Sequence, residues 1–169
     1  MDDAVVDAIN AQVGREFAAE LEYLQISAYF DDEGLKELSS FFRAQADEER
    51  SHALRFIDYL TEAGGHVAIP ALSAPRHQFE SAQEAVELSL AWEESVTDYI
   101  NGLMALAVQK NDFAAQQMLQ WFIAEQVEEV ATMSELLSVV RRAGAENLLL
   151  VEDYISRSIV NRAGPDPAA

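Results

Sequence analysis

Glu49 and His52 stand three residues apart, and Gln126 and Glu129 repeat that spacing. Positions i and i+3 of a helix share a face, so each pair aims two donor groups in one direction. Single glutamates, Glu16 and Glu93, occupy two other long segments. All of these positions fall on stripes that are otherwise apolar, where an unpaired charge costs several kcal/mol. Four carboxylates on core stripes therefore call for compensating positive charge. Two divalent cations would supply it, leaving the set neutral when filled and frustrated when empty. Hard oxygens with a single imidazole suit Fe(II), Mn(II) or Zn(II). Glu49 is placed to bridge two ions, with Glu16 and His52 completing one position and Glu93 and Glu129 the other.

Dinuclear carboxylate bundles take one Glu from each of two helices and a Glu-x-x-His pair from each of the other two. This chain follows that rule except at Gln126/Glu129, where no second histidine appears. Tyr23 lies seven residues beyond Glu16, two turns along the same face. Its hydroxyl can reach the groups behind the ligands, although an ordinary core tyrosine would occupy the same place. Glu48, Glu125 and Glu128 adjoin the inner set. With Glu129 they define either a third, looser cation site on the flank or a solvated acidic face. Trp92 and Trp121 read as packing residues rather than electron relays, and His66 and His77 as solvated link residues. Glu20 also falls on the first stripe, either as an extra ligand or tilted to the bundle edge.

Four helices must carry these groups. Ile9, Val13, Glu16, Glu20, Tyr23, Ser27 and Phe30 step by alternating threes and fours, as do Leu38 to Tyr59, Val86 to Ala107 and Leu119 to Val140. These are core seams of a four-helix bundle, each with its polar position near the middle. The spacing predicts helices over about 3–32, 35–63, 82–110 and 113–142, with a short fifth near 146–161. Ser81-Ala82-Gln83-Glu84 has the form of a capping box, and Asn111-Asp112 can cap the fourth helix. No alternating β-branched run suggests a strand.

The joins between the first two helices and between the last two are short, so each pair runs antiparallel. Residues 64–81 form a long link. Extended at about 3.3 Å per residue it spans about 60 Å, whereas a 28-residue helix is only about 42 Å long. The link can therefore traverse the bundle and leave the second and third helices parallel, the one-crossover arrangement. The expected fold class is all-α, one domain over 1–163, with 164–169 as a disordered tail.

Composition narrows the function. The 169 residues are 50% hydrophobic, enough for one real core. With 30 acidic against 11 basic residues the net charge is −19, which disfavours nucleic acid and anionic membranes as partners. There are no cysteines, so disulfides, thiolate zinc sites and iron–sulfur clusters are excluded. No membrane-length apolar run and no basic leader stand out. The cytoplasm is the expected location.

Together these features make the chain resemble a bacterial non-haem ferritin over residues 5–160. The resemblance is carried by Glu16 with Tyr23, Glu-Glu-Arg-Ser-His at 48–52, Glu93, and Gln-Trp-Phe-Ile-Ala-Glu-Gln-Val-Glu-Glu at 120–129. It implies an iron-storage protein with ferroxidase activity. Fe(II) would be oxidised by dioxygen or peroxide at Glu16, Glu49 and His52 and at Glu49, Glu93 and Glu129, with Gln126 behind the second position. Glu48, Glu125, Glu128 and Glu129 match a third iron site. The resemblance further implies a homo-oligomeric shell of 24 subunits enclosing ferric mineral, with the fifth helix lining four-fold channels. Haem is not expected, because Arg50 stands where bacterioferritin has its haem-binding methionine. Rubrerythrin is excluded by the lack of cysteine, and Dps-type mini-ferritins lack this ligand set. Two other readings remain: a di-iron or di-manganese oxidase of an organic substrate, and a non-enzymatic acidic helical module.

Overall fold

The computed structural model describes residues 2–159; the expected tail at 164–169 and the last residues of the expected fifth helix lie outside them. Four long helices, α1 (Asp3–Asp32), α2 (Lys36–Glu62), α3 (Ala82–Gln109) and α4 (Phe113–Ala143), form the bundle. No strand occurs among the described residues. Every residue of the α4 seam from Leu119 to Val140 is buried, so the alternating spacing located that core face correctly. In the other three seams only Glu20, Tyr59, Leu90, Thr97 and Met104 are half-buried rather than buried.

Contacts settle the helix directions. Ser27 of α1 bonds to the Ser39 backbone of α2 across the short join, so α1 and α2 are antiparallel. Arg15 lies over the Tyr99 ring, while Tyr23 meets Glu93; a rising number on α1 pairs with a falling one on α3. Both α2 and α3 thus run against α1 and are parallel to each other. The one-crossover topology follows.

Each start is capped in its own way. The Asp2, Ser81 and Asp112 side chains accept from the Ala4, Glu84 and Ala115 amides at about hydrogen-bond length, 3.0, 3.1 and 3.0 Å, satisfying amides that a helix start leaves free. Glu84 does not reach back to the Ser81 amide as a capping box would. It accepts instead from the Glu80 amide one residue earlier. Helix α2 has no cap of its own, since Leu35 precedes it. Its Glu37 and Leu38 amides donate to the Glu152 carboxylate at 2.9 and 2.8 Å. A negative charge at a helix N-terminus is favourable, so the C-terminal region completes α2.

That region differs from the single fifth helix expected. A 3₁₀ turn at Ala145–Asn147 leads into α5 (Leu148–Tyr154), which widens to a π turn at Ile155–Ile159. The Asn147 side chain donates to the Ala143 carbonyl at 2.9 Å, tying the turn to the end of α4. Val151 and Ile155, four apart, are fully buried against the bundle.

The link over 63–81 has no regular structure yet is held to α1. Asn10 donates to the His66 carbonyl and accepts from the Ala68 amide, both at 2.8 Å. The Glu22 carboxylate accepts from the Arg76 amide at 3.1 Å. Pro70 lies so close to α1 that a Cβ added at Gly14 would sit 2.3 Å from its Cγ. Only glycine allows this approach.

The core is divided. One apolar cluster gathers Ile26, Phe30, Leu38, Phe42, Val86, Met133 and Leu136 with α5. A second holds Ile9, Val13, Phe56, Leu60, Ile100, Leu119 and Phe122. Between them lies a buried polar layer.

Gly14→Ala is expected to destabilise the chain by about 1–3 kcal/mol, the usual range for forcing an added methyl into a packed site. Thermal melting checks this. An unchanged Tm would mean the link gives way freely and is not seated as described.

Candidate metal centre

The polar layer consists of Glu16 from α1, Glu49 and His52 from α2, Glu93 from α3, and Gln126 and Glu129 from α4, each 6% exposed or less. Each comes from the middle of its helix, where the seam periodicity turns it inward. Ligand atoms of Glu16, Glu49 and His52 lie within 4.8 Å of one another, and so do those of His52, Glu125 and Glu129. His52 therefore belongs to both groups. Its Nδ1 is 3.6 Å from Glu49 Oε2. Two donors each about 2.1 Å from one ion are at most about 4.2 Å apart, so this pair fits a shared cation.

Hydrogen bonds link the remaining members. Tyr23 donates its hydroxyl to Glu93 Oε1. Gln126 Nε2 donates to Glu93 Oε2 and to the Glu93 carbonyl, both at 3.2 Å, and to Thr97 Oγ1 at 3.4 Å. The Tyr23 hydroxyl thus reaches the Glu93 carboxylate across the helix interface rather than Glu16, and Glu93 itself lies in neither ligand group. Against this, Glu16 Oε2 and Glu49 Oε2 are buried with no donor directed at them. Buried acceptors of this kind are exceptions that need a reason, and a cation between them supplies one. The donor set, oxygens with one imidazole, suits a hard or borderline divalent ion.

Burial raises the pKa of every carboxyl in this layer. Burial pushes the Glu16 carboxyl up to about 7 despite its bond from Gln12. Burial, then the neighbouring carboxylates, holds Glu49 and Glu129 well above the usual carboxylate range. Glu93 is raised by burial too, but the Tyr23 and Gln126 bonds oppose the rise. Burial lowers the His52 imidazole to about 4, with nearby Arg55 adding to the effect. Burial thus works against the charged form of both partners in the Glu49–His52 contact. A neutral imidazole is the ligand form. Trp121 and Phe122 stand edge-on to His52 at 5.4 and 5.8 Å between ring centres and wall it in.

The outer acids divide. Glu125 is half-buried and joins Glu129 and His52. Much of Glu48 is exposed, yet its carboxyl accepts from Gln45 and is raised by burial and by Glu125. Glu128 is exposed and lies in neither ligand group. Glu20 is half-buried and also lies outside both groups. His66 and His77 are exposed in the link.

Gln12 was not singled out by its spacing. It is fully buried, and its Nε2 donates to Glu16 Oε1 at 2.9 Å. The available signal was an amide four residues before a core glutamate, one turn away on the same face. Thr97 was recognised only as a seam residue, although its hydroxyl accepts from Gln126.

Known proteins share this fold. Residues 6–143 match the family described as the ferritin-like domain. Ferritin BfrB of Mycobacterium tuberculosis is 41% identical over 148 residues, covering 88% of this chain and 81% of the relative. A bacterial non-haem ferritin of Staphylococcus saprophyticus is 35% identical over 143 residues, covering 85% and 86%. Among solved structures, an open-pore ferritin from the hyperthermophilic archaeon Archaeoglobus fulgidus superposes with a TM-score of 0.89 at 34% identity, over 93% of this chain and 97% of that one. With a matching bundle, a matching family and relatives aligned over most of its length, the chain belongs to the ferritin family.

Proposed function

We propose that this chain stores iron and oxidises it on entry. Fe(II) is the substrate. Glu16, Glu49 and His52 hold one ion, and Glu49, Glu93 and Glu129 the other, with Glu49 between them. The observation that carries this reading is the pair of buried carboxylate oxygens, Glu16 Oε2 and Glu49 Oε2, that have no hydrogen-bond partner, on side chains whose ligand atoms lie within 4.8 Å of each other and of His52. Zn(II) and Mn(II) have affinity for the same donors and would compete.

The chain's residues have definable tasks. The net charge of −19 draws cations toward the protein. As ions enter, the raised carboxyls lose their protons, because a carboxylate and not a carboxylic acid is the ligand. Neutral His52 needs no deprotonation. Tyr23 and Gln126 hold Glu93 in place from behind. Anionic oxygens favour the ferric over the ferrous state, so the site eases electron loss. A pair of Fe(II) ions gives up two electrons to one dioxygen or peroxide molecule. Glu125 and Glu48, beside Glu129, provide a third cation position and an exit toward the flank. The ferric product then collects as a hydrated oxide inside a homo-oligomeric shell of 24 subunits in the cytoplasm. A native particle of hundreds of kilodaltons is expected on sizing; a monomer would favour an oxidase of organic substrates instead.

Glu49→Ala removes the shared ligand. The initial growth of ferric absorbance after aerobic Fe(II) addition is expected to fall at least about tenfold, since even partners behind a ligand are worth about 10–100-fold. An unchanged rate would remove Glu49 from the bridging role.

The raised carboxyls also predict a pH dependence. The folded chain retains protons that the unfolded chain releases above about 4.5. The contribution to stability is fully present below that value and is lost as pH rises through the folded values, about 7 for Glu16. Cation-free protein should therefore lose more Tm between about pH 5 and pH 8 than Glu49→Gln does. Zn(II) should raise the wild-type Tm more at the higher pH. Parallel Tm profiles for the two proteins would contradict the buried, coupled carboxyls.

A further inference from the structure

The hydrogen bonds behind Glu16 extend to the surface in a definite order. Gln12 is fully buried one turn before Glu16 on α1, and its Nε2 donates to Glu16 Oε1 at 2.9 Å. The other end of the same amide is also engaged: Gln12 Oε1 accepts from Arg15 Nη1 at 3.1 Å. Arg15 is fixed in turn, with its guanidinium 3.7 Å from the centre of the Tyr99 ring on α3. A guanidinium carries donors and no acceptor. The amide oxygen must therefore face Arg15, and the amide NH₂ must face Glu16. Stacking on Tyr99 keeps Arg15 from swinging into solvent, so the amide cannot turn its acceptor toward the carboxylate.

We infer that Gln12 is a positioning residue for the first cation, its amide orientation set by Arg15 on Tyr99, so that Glu16 offers Oε2 alone to the ion. This rests on the dinuclear reading proposed above. Two features support it. Glu16 Oε1 already has its donor, and Glu16 Oε2 is the buried atom that has none. One carboxylate oxygen is tied back and the other is left for a metal. Fixing the carboxylate's rotation also favours one-oxygen ligation over a chelating mode, which leaves room for Glu49 and His52 on the same ion. Glu93 is held in a parallel way by Gln126 and Tyr23, but from across the bundle. The Gln12 relay runs within α1 and ends at a partly exposed cation, which makes it the more adjustable of the two.

Zn(II) titration calorimetry on the assembled protein tests this, because Zn(II) binds without redox chemistry. Gln12→Leu, similar in bulk and without an amide, should weaken the Zn(II) binding that Glu16→Gln abolishes by about tenfold or more, the lower end for groups that orient a ligand. Arg15→Leu should weaken it by less. Arg15→Lys, which restores a donor-only cation, should return it to within about twofold of wild type. Tm measured without metal separates positioning from folding: a purely structural role would lower Tm and leave Zn(II) affinity in the cold unchanged. If Gln12→Leu does not fold, the Arg15→Leu and Arg15→Lys pair carries the test alone. Wild-type affinity in Gln12→Leu or in Arg15→Leu, alongside loss in Glu16→Gln, would overturn the relay and leave the dinuclear site standing. Wild-type affinity in Glu16→Gln would overturn the site and the relay together.

Discussion

Negative charge buried at mid-bundle governs this molecule. Four glutamates, from four different helices, end within the same dry layer. Carboxylates in such a place have three ways out: protons, donors from the protein, or metal ions. The first two operate here, and the third is the one proposed above. Glu93 has donors in Tyr23 and Gln126. Glu49 and Glu129 hold protons far above the ordinary carboxyl range. Glu16 stands between, with one oxygen bonded and the other bare. Protonation relieves the repulsion only by giving up charge that a divalent ion would use directly. The layer is thus a poor piece of core, with donors grouped closely enough to hold a cation.

The rest of the fold isolates and supports that layer. An apolar cluster lies on each side of it, so water is kept away and the helices are held close enough for the ligands to meet. Phe56 and Phe122 stack at 3.9 Å beside His52, and the Trp121 and Phe122 edges confine the imidazole. The crossover leaves α2 parallel to α3, which brings Glu49 to the height of Glu93. Asn10 and Gly14 seat that crossover against the same helix that carries Gln12 and Glu16.

Much of this was legible in the sequence, and the reason is periodicity. Alternating steps of three and four located the four helices to within a residue or two, and the polar interruptions at Glu16, Glu49, His52, Glu93, Gln126 and Glu129 marked the layer. Features that depend on contacts between distant segments were not legible. The cap on α2 comes from Glu152, more than a hundred residues away, and no local motif announces it. The division of α5 into 3₁₀, α and π turns depends on how it packs, and spacing suggested one helix. Tyr23 was placed behind the ligands, but its partner across the bundle, Glu93, was not evident from its distance to Glu16. Gln12 was overlooked because a glutamine on a helix is usually solvated. Only its neighbours reveal that it is not. Glu128, next to Glu129 in sequence, lies on the exposed side of α4, as a position on the flank requires.

The most direct test is anomalous diffraction at the iron edge from crystals soaked with Fe(II) without oxygen. Two strong peaks per chain should appear within the buried layer, one reached by Glu16 and His52, the other by Glu93 and Glu129, with Glu49 touching both. Iron found only among surface acids, or inner glutamates turned outward with the layer empty, would contradict the idea that these helices are held around a pair of cations.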